Sequence, residues 1–358
     1  MSDKTRRLRV GLIGYGYAGK TFHAPLIAAV PALQLAVVAS SDAAKVRADW
    51  PDAAVVATPA ELFTRDDIDL VVIATPNDTH HPLARSALLA GRNVVVDKPF
   101  TLTQAEGREL VELARRRRLL LSVFHNRRWD GDFLTLAALL RDGALGRVVE
   151  MSSHFDRFRP EVRARWRETA TPGAGMWLDL GPHLVDQALQ LFGRPRAIAL
   201  DKAATRDGAL ADDWFHATLR YDRLRVRLHA GTLVCAGAPR FAVNGTLASF
   251  VKEGLDAQED ALKLGVRPTW PAQPDWGRDG GRAQLVRGAA DGALTGADVA
   301  LQPGIHMAYY AAIAAALRNE GANPVPAEEA LEVMTLIELG NASAAQRREL
   351  ECRLADEV

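Results

Sequence analysis

The segment from Leu8 to Val30 constrains this chain most. An unbroken apolar run, Leu8 to Ile13, leads directly into Gly14-Tyr15-Gly16-Tyr17-Ala18-Gly19. A helix-compatible stretch, Thr21 to Val30, follows, with Pro25 in its first turns. A buried strand that ends in G-x-G-x-x-G and turns into a helix opens a βαβ unit. The first glycine permits a tight turn, the second lets a pyrophosphate approach the backbone, and the third lets helix and strand pack closely. Unpaired N–H groups at the helix start face the same anion. Gly14, Gly16, Tyr17 and Gly19 are therefore candidate dinucleotide contacts; a purely structural glycine turn is the alternative.

The alternation continues. Leu35 to Ala39, Leu70 to Ala74, Asn93 to Val96 and Leu119 to Phe124 read as strands; Pro82 to Ala90 and Gln104 to Arg117 read as helices. Continuous apolar strands between helices imply a parallel sheet covered on both faces. The pattern changes near Asn126. After a helix around Phe133 to Arg141, the stretches Val148 to Phe158, Phe215 to Tyr221, Leu224 to Leu233 and Arg240 to Val243 suit an antiparallel sheet with one face packed. Helices at Ile305 to Arg318 and Ala327 to Gln346 close the chain, and Gly265 to Gly281 is an irregular excursion. The 358 residues exceed what one core usually holds. The expected architecture is an α/β N-terminal Rossmann domain, residues 1–125, plus an α+β C-terminal domain, residues 126–358, with a large, mostly antiparallel open sheet.

Charge and cysteine content narrow the function classes. Lysine plus arginine (44) equals aspartate plus glutamate (44), so neither nucleic acid nor an anionic membrane is an expected partner. The run Arg115 to Arg118 reads as a solvated helix end, where cations are favoured. The two cysteines, Cys235 and Cys352, form neither a disulfide framework nor a cysteine-built zinc site. The charged N-terminus resembles no signal peptide and no run is long enough to span a bilayer, so a cytoplasmic protein is expected.

Four further stretches carry candidate chemistry. Ser40-Ser41-Asp42 ends the second expected strand, where an acidic residue would bond ribose hydroxyls and repel a phosphate. Two hydroxyls with Lys45 nearby favour NADP over NAD, although Asp42 could still reach a ribose; a cap of the next helix is the other reading. The loop Ala74-Thr75-Pro76-Asn77-Asp78-Thr79-His80 follows an expected parallel strand, on the side where ligands bind, or is a capped turn with Asn77 or Thr79 as the cap. Asp97-Lys98-Pro99 ends the next strand, and the residue before proline is pushed towards extended backbone. Asp179 and His183 are four residues apart, so one helical turn would put them on one face, although Gly181 and Pro182 interrupt it. His80-His81 makes no convincing metal pair, because adjacent residues point apart.

With these motifs in place, the chain resembles the Gfo/Idh/MocA oxidoreductases, the glucose–fructose oxidoreductase and inositol dehydrogenase group. Phe22-His23-Ala24-Pro25, Phe124-His125-Asn126-Arg127-Arg128-Trp129-Asp130, His154-Phe155-Asp156-Arg157-Phe158-Arg159-Pro160 and Arg165-Trp166-Arg167 resemble a bacterial branch that includes NADP-dependent scyllo-inositol dehydrogenases. Asp97 departs from the glutamate common in the family. The resemblance implies that Lys98, Asp179 and His183 are catalytic, with Lys98 also at the cofactor. It implies that Thr75, Pro76, Asn77, His80, Asn126, Trp166 and Arg167 join Gly14, Gly16, Tyr17, Gly19, Ser40 and Ser41 around NADP or NAD. It also implies that Arg127, Asp156, His306 and Tyr309 meet a polyol or sugar substrate. Association into a homodimer or higher homo-oligomer through the C-terminal sheet is expected, and the chemistry requires no metal. Two alternatives stay open: glycoside cleavage by transient oxidation, and a non-catalytic cofactor sensor.

Overall fold

The structure, a computed structural model, describes residues 6–163, 165–289 and 291–352. By contacts it divides into two compact units. Unit 1 comprises Met1–Trp129, Gln258–Trp276 and Ile305–Glu332; unit 2 comprises Asp130–Ala257, Gly277–Gly304 and Val333–Val358. The single boundary read from the sequence followed residue 125. By contacts, two later segments of the chain, 258–276 and 305–332, also belong to unit 1.

Unit 1 holds a six-stranded parallel sheet. Its strands are β1 (Leu8–Ile13), β2 (Leu33–Ala39), β3 (Ala54–Val56), β4 (Leu70–Ile73), β5 (Asn93–Asp97) and β6 (Leu121–Phe124). Their order is β3-β2-β1-β4-β5-β6, the Rossmann order, with its topological switch point between β1 and β4. Val10, Leu12, Val72, Val94 and Val95 are fully buried, as expected of strands covered on both faces. The intervening helices are α1 (Ala24–Ala29), α2 (Ala43–Asp49), α3 (Pro59–Phe63), α4 (His80–Leu89) and α5 (Gln104–Arg117). Thr58 and Thr103 open α3 and α5 with reciprocal capping boxes to Glu61 and Glu106. The helix α5 ends at Arg118 in left-handed backbone, and Arg115 and Arg116 are mostly exposed there. The sequence pattern missed β3, a three-residue edge strand too short to show a period.

Unit 2 is built on a nine-stranded sheet: β7 (Val148–His154), β8 (Ala197–Ala203), β9 (Trp214–Arg220), β10 (Arg225–Gly231), β11 (Phe241–Gly245), β12 (Ala248–Lys252), β13 (Ala283–Gly288), β14 (Leu294–Asp298) and β15 (Leu350–Glu351). Their order is β14-β13-β12-β11-β7-β10-β9-β8-β15. Among the described residues, only β7 and β10 pair in parallel in this sheet; every other pair is antiparallel. The helix α6 (Gly131–Arg141) precedes the sheet and α7 (Met176–Phe192) packs on it through β9 and β10. Phe215, Ala217, Val226 and Leu228 are fully buried, while the residues alternating with them are exposed or half-exposed. The strand expected to run to Phe158 stops at His154, and an isolated bridge joins Phe158 to Leu233. The remaining helices are α8 (Gln258–Lys263), α9 (Met307–Leu317) and α10 (Ala327–Gln346). Among the described residues, no helix is long and apolar enough to cross a membrane.

Candidate active site

Within unit 1, the loops after β1, β2, β4 and β5 all leave the carboxyl end of one parallel sheet. The glycine loop comes first. Gly14 has φ +93°, and a Cβ there would lie 2.5 Å from the Ala74 carbonyl oxygen. A Cβ on Gly19 would lie 2.1 Å from the Gly14 carbonyl oxygen. These two glycines are demanded by the protein's own packing. Gly16 is different: a Cβ there meets nothing within 4 Å. Glycine at this position keeps space open beside the backbone and the start of a helix, which is what a dinucleotide pyrophosphate needs.

The helix that follows is not regular. Gly19 to His23 forms a π turn, and Ala24 N–H bonds back to Gly19 O. Pro25 has no N–H to offer Thr21, so the wider turn accommodates it. This turn buries His23 completely. Its Nδ1 lies 2.6 Å from the Tyr310 hydroxyl, and its Nε2 lies 3.7 Å from Asp97 Oδ1. Asp97 also accepts the Lys98 amide at 2.8 Å. Burial alone would raise the Asp97 pKa, but His23, Lys98 and His80 together hold it below the usual carboxylate range. A carboxylate therefore stands behind half-buried Lys98 at the end of β5. His23 and Tyr310 escaped the sequence reading as site residues; the signal was Pro25 two positions after a histidine in a helical stretch.

The loop after β4 is braced from within. Thr75 and Thr79 hydroxyls are 2.6 Å apart, and Thr79 also donates to Pro76 O at 2.6 Å. Thr79, the N-cap of α4, makes no side-chain cap bond. Asn77–Thr79 is a 3-10 turn that runs into α4. His80, read from the sequence as a cofactor contact, is fully buried, with Nδ1 2.8 Å from Pro99 O and Nε2 3.0 Å from Thr75 O. It ties the β4 loop to the Lys98-Pro99 segment. Burial lowers its pKa against the pull of Asp97. His81 instead pairs with Glu109 at 2.9 Å on the surface.

At the end of β2, Asp42 caps α2 by accepting the Lys45 amide at 2.9 Å, and the Asp42 amide donates to Ser40 Oγ at 3.1 Å. Ser41 is exposed and Ser40 half-exposed. Lys45 Nζ donates to Tyr15 O at 3.1 Å, which brings an ammonium to the glycine loop.

The rest of the unit 1 candidates are engaged inside the fold. Asn126 is buried in a 3-10 turn, Asn126–Trp129. Arg127 pairs closely with Glu259, and Arg128 pairs with Glu329 at 2.6 Å. Tyr309 is fully buried, with its hydroxyl 2.8 Å from Ser122 Oγ and its ring packed on Phe124 and Trp129. His306 is fully buried as well, its amide donating to Gln258 at 2.7 Å.

Unit 2 carries the second half of the candidate chemistry on α7. The sequence breakers that obscured this helix are structural. Gly175 has φ +98°, and a Cβ there would lie 2.5 Å from Asp212 Oδ1. Asp212 takes the place of a normal N-cap: its backbone carbonyl accepts the Met176 amide and its carboxylate the Trp177 amide, each at 2.7 Å. A Cβ on Gly181 would lie 2.7 Å from the buried Trp177 ring. Pro182 sits inside the helix, and burial of neighbours such as Leu184 and Val185 outweighs its cost. Asp179 and His183 therefore lie one turn apart on a single helix. His183 is 5% exposed. Asp179 Oδ1 lies 3.3 Å from Arg167 Nε, and the Arg167 guanidinium stacks 4.5 Å over Trp166. Arg157, Arg159 and Arg206 line the same small cleft as Asp179.

Asp156 falls elsewhere. Phe215 packs on Trp177 of α7, so His216, next along β9, points away from that helix. Asp156 meets His154 and His229, which share this opposite face. The sheet separates Asp156 from the helix that holds Asp179 and His183.

A Rossmann sheet with an open glycine cradle at its switch point defines a dinucleotide-binding domain. The chain belongs to the Gfo/Idh/MocA oxidoreductase family: residues 8–125 match its NAD-binding Rossmann fold and residues 137–352 its C-terminal alpha/beta domain. It is 54% identical over 350 residues to the uncharacterized oxidoreductase YdgJ of Escherichia coli, covering 98% of this chain and 99% of that one. It is 38% identical over 349 residues to the scyllo-inositol 2-dehydrogenase (NADP(+)) IolW of Bacillus subtilis, covering 96% of each chain. A solved structure of a candidate oxidoreductase from Yersinia pestis superposes with a TM-score of 0.93 at 53% identity over 98% of each chain.

Proposed function

We propose that this dehydrogenase oxidises a secondary alcohol of a polyol or sugar of inositol type, with NADP preferred. The observation that carries the reading is α7, which holds a nearly buried histidine one turn from an arginine-paired carboxylate. The Bacillus subtilis relative, named for scyllo-inositol and NADP(+), supports the finer assignment.

The residues that would hold the cofactor are Gly14, Gly16, Tyr17 and Gly19 at the pyrophosphate, Ser40, Ser41 and Lys45 at a ribose phosphate, and the Thr75-Pro76-Asn77 loop. Asn126, Trp166 and Arg167 are further contacts. When bound, the nicotinamide supplies the carbon that takes up hydride. Neutral His183 accepts the hydroxyl proton of the substrate, a role suited to a group whose ordinary pKa is near ~6.5. Asp179 positions the imidazole and stabilises its charged form, while Arg167 holds Asp179 in place. Lys98, with ionised Asp97 behind it, stabilises negative charge on the substrate oxygen. Reduction of a ketone runs the same proton transfers in reverse.

The NADP preference rests on Asp42, whose carboxylate is engaged in capping its own helix, next to two serine hydroxyls and an ammonium. Association through the free face of the unit 2 sheet belongs to the same reading, and light scattering measures it. The test of function is an absorbance assay at the standard nicotinamide wavelength, with inositols, aldoses and sugar acids offered alongside NAD or NADP. Turnover of a polyol or sugar with NADP is expected. Inactivity on every polyol and sugar would overturn the substrate class, and a preference for NAD would overturn the cofactor assignment.

A further inference from the structure

Three histidines line up across the middle of the unit 2 sheet. His154 of β7 stands opposite His229 of β10, and His229 stands opposite His216 of β9. All three project from the face that turns away from α7. Just beyond the end of β7, Asp156 brings its carboxylate back between two of them. Its Oδ2 lies 3.3 Å from His154 Nδ1, and its Oδ1 lies 3.3 Å from His229 Nε2.

The carboxylate is only 7% exposed. A carboxylate so buried normally collects hydrogen bonds, because leaving an oxygen unsatisfied costs the full penalty of removing it from water. Asp156 Oδ1 has no hydrogen-bond partner among the described residues: His229 Nε2 is near, but not in the geometry of a donor. The spacing suits another arrangement. Nitrogen and carboxylate oxygen bind Zn2+ at about 2.0–2.2 Å, so two ligand atoms on one tetrahedral ion lie roughly 3.3–3.5 Å apart. The two 3.3 Å approaches are to different oxygens of Asp156; with one ligand atom taken from each residue, those of His154, Asp156 and His229 all fall within 4.8 Å of one another.

We propose that His154, Asp156 and His229 form a three-ligand site for a borderline divalent transition-metal ion such as Zn2+. Imidazole nitrogen with one carboxylate suits Zn, Co, Ni or Cu rather than Mg or Ca. Three protein ligands leave a fourth position for water. The site clamps β7 to β10, the one parallel pair in the sheet. The sheet stands between it and α7, so the ion takes no part in alcohol oxidation and the proposal is independent of the assigned reaction.

The test uses the full chain, stripped with EDTA and titrated with Co2+, whose visible ligand-field absorption reports ordered coordination; Zn2+ competition then gives its affinity. The expected result is saturable binding of one Co2+ per chain, displaced by Zn2+, with a rise in unfolding temperature on addition of either ion. His229→Ala and Asp156→Asn should each weaken binding at least about tenfold, the scale of lost support at metal sites. His81→Ala, which removes a surface histidine paired with Glu109, should leave binding unchanged. Unfolding temperatures in EDTA show whether each variant is folded. Absence of saturable binding, or equal binding by folded His229→Ala and Asp156→Asn, overturns the proposal.

Discussion

Replacing each loop glycine by alanine should separate the protein's own needs from those of the cofactor. At Gly16 the added methyl group meets nothing within 4 Å and the backbone is not left-handed. Fewer unfolded conformations should then leave stability unchanged or raise it by about 0.4–1 kcal/mol. The methyl group would instead stand where the pyrophosphate approaches. Losing one charge-assisted hydrogen bond costs about 1.5–3 kcal/mol, which is about 10- to 150-fold in Kd. At Gly19 the methyl carbon would lie 2.1 Å from a carbonyl oxygen of the same loop, and such overpacking costs about 1–3 kcal/mol or more. At Gly14, φ of +93° adds strain of about 1–3 kcal/mol. Each kcal/mol lowers Tm by about 2–4 °C in a domain of this size. Thermal unfolding without cofactor and fluorescence titration with NADPH read the two effects separately. Gly16→Ala should keep its Tm and lose affinity; Gly19→Ala and Gly14→Ala should lose Tm. A Gly16→Ala variant that binds NADPH like the parent would refute the assignment of that space, and an undiminished Tm in Gly19→Ala would refute the packing argument.

Other perturbations have equally definite outcomes. His183→Ala should lower kcat about a hundredfold or more, the scale of lost acid–base catalysis, with cofactor Kd nearly unchanged; wild-type turnover would remove His183 from the mechanism. Ser41→Asp should move cofactor preference towards NAD, read as the ratio of kcat/KM for the two cofactors, and an unchanged ratio would move phosphate recognition away from Ser41. Asp213 is buried and accepts Thr205 N and Oγ1 at 2.7 Å each and Arg206 Nε at 2.8 Å. Asp213→Ala should therefore cost about 1–3 kcal/mol in chemical denaturation, because the Thr205 amide and Arg206 Nε lose their buried acceptor while Glu168 still pairs with Arg206 at 3.2 Å. Burial would raise the Asp213 pKa, but these partners lower it overall. Its stabilising contribution is therefore complete above the unfolded pKa of about 4 and is lost as pH falls through the lower folded value. The variant's stability should fall less steeply than the parent's below about pH 5.

The legible parts of the fold were those with an unbroken period. Leu8 to Ile13 and Gln104 to Arg117 have the boundaries their patterns predict. The 17-residue helix α7 was legible only as a single turn, because Gly181 and Pro182 carry breaker signals. Those residues are there for tertiary reasons, Gly181 to clear the Trp177 ring, and such reasons leave no local pattern. The strands Ala248–Lys252, Ala283–Gly288 and Leu294–Asp298 were missed for a related cause: the last is exposed along its whole length and has no apolar period. Among candidate residues, the glycine loop was readable from spacing and Lys98 from its place before a proline at the end of an expected strand. The far-face position of Asp156 was not, because it depends on which way a strand end turns. His23 behind Lys98 was hidden by a π turn that no regular helical wheel anticipates.

The central claim is that hydride passes directly from an alcohol carbon to the nicotinamide. Its most direct test uses the polyol or sugar oxidised fastest in the panel, deuterated at the reacting carbon and incubated with NADP and enzyme. Mass spectrometry of the reduced cofactor should find one deuterium on the nicotinamide ring, formed in step with ketone product and lost in His183→Ala. A reduced cofactor without deuterium, or deuterium released to water while the cofactor stays oxidised, would contradict the account.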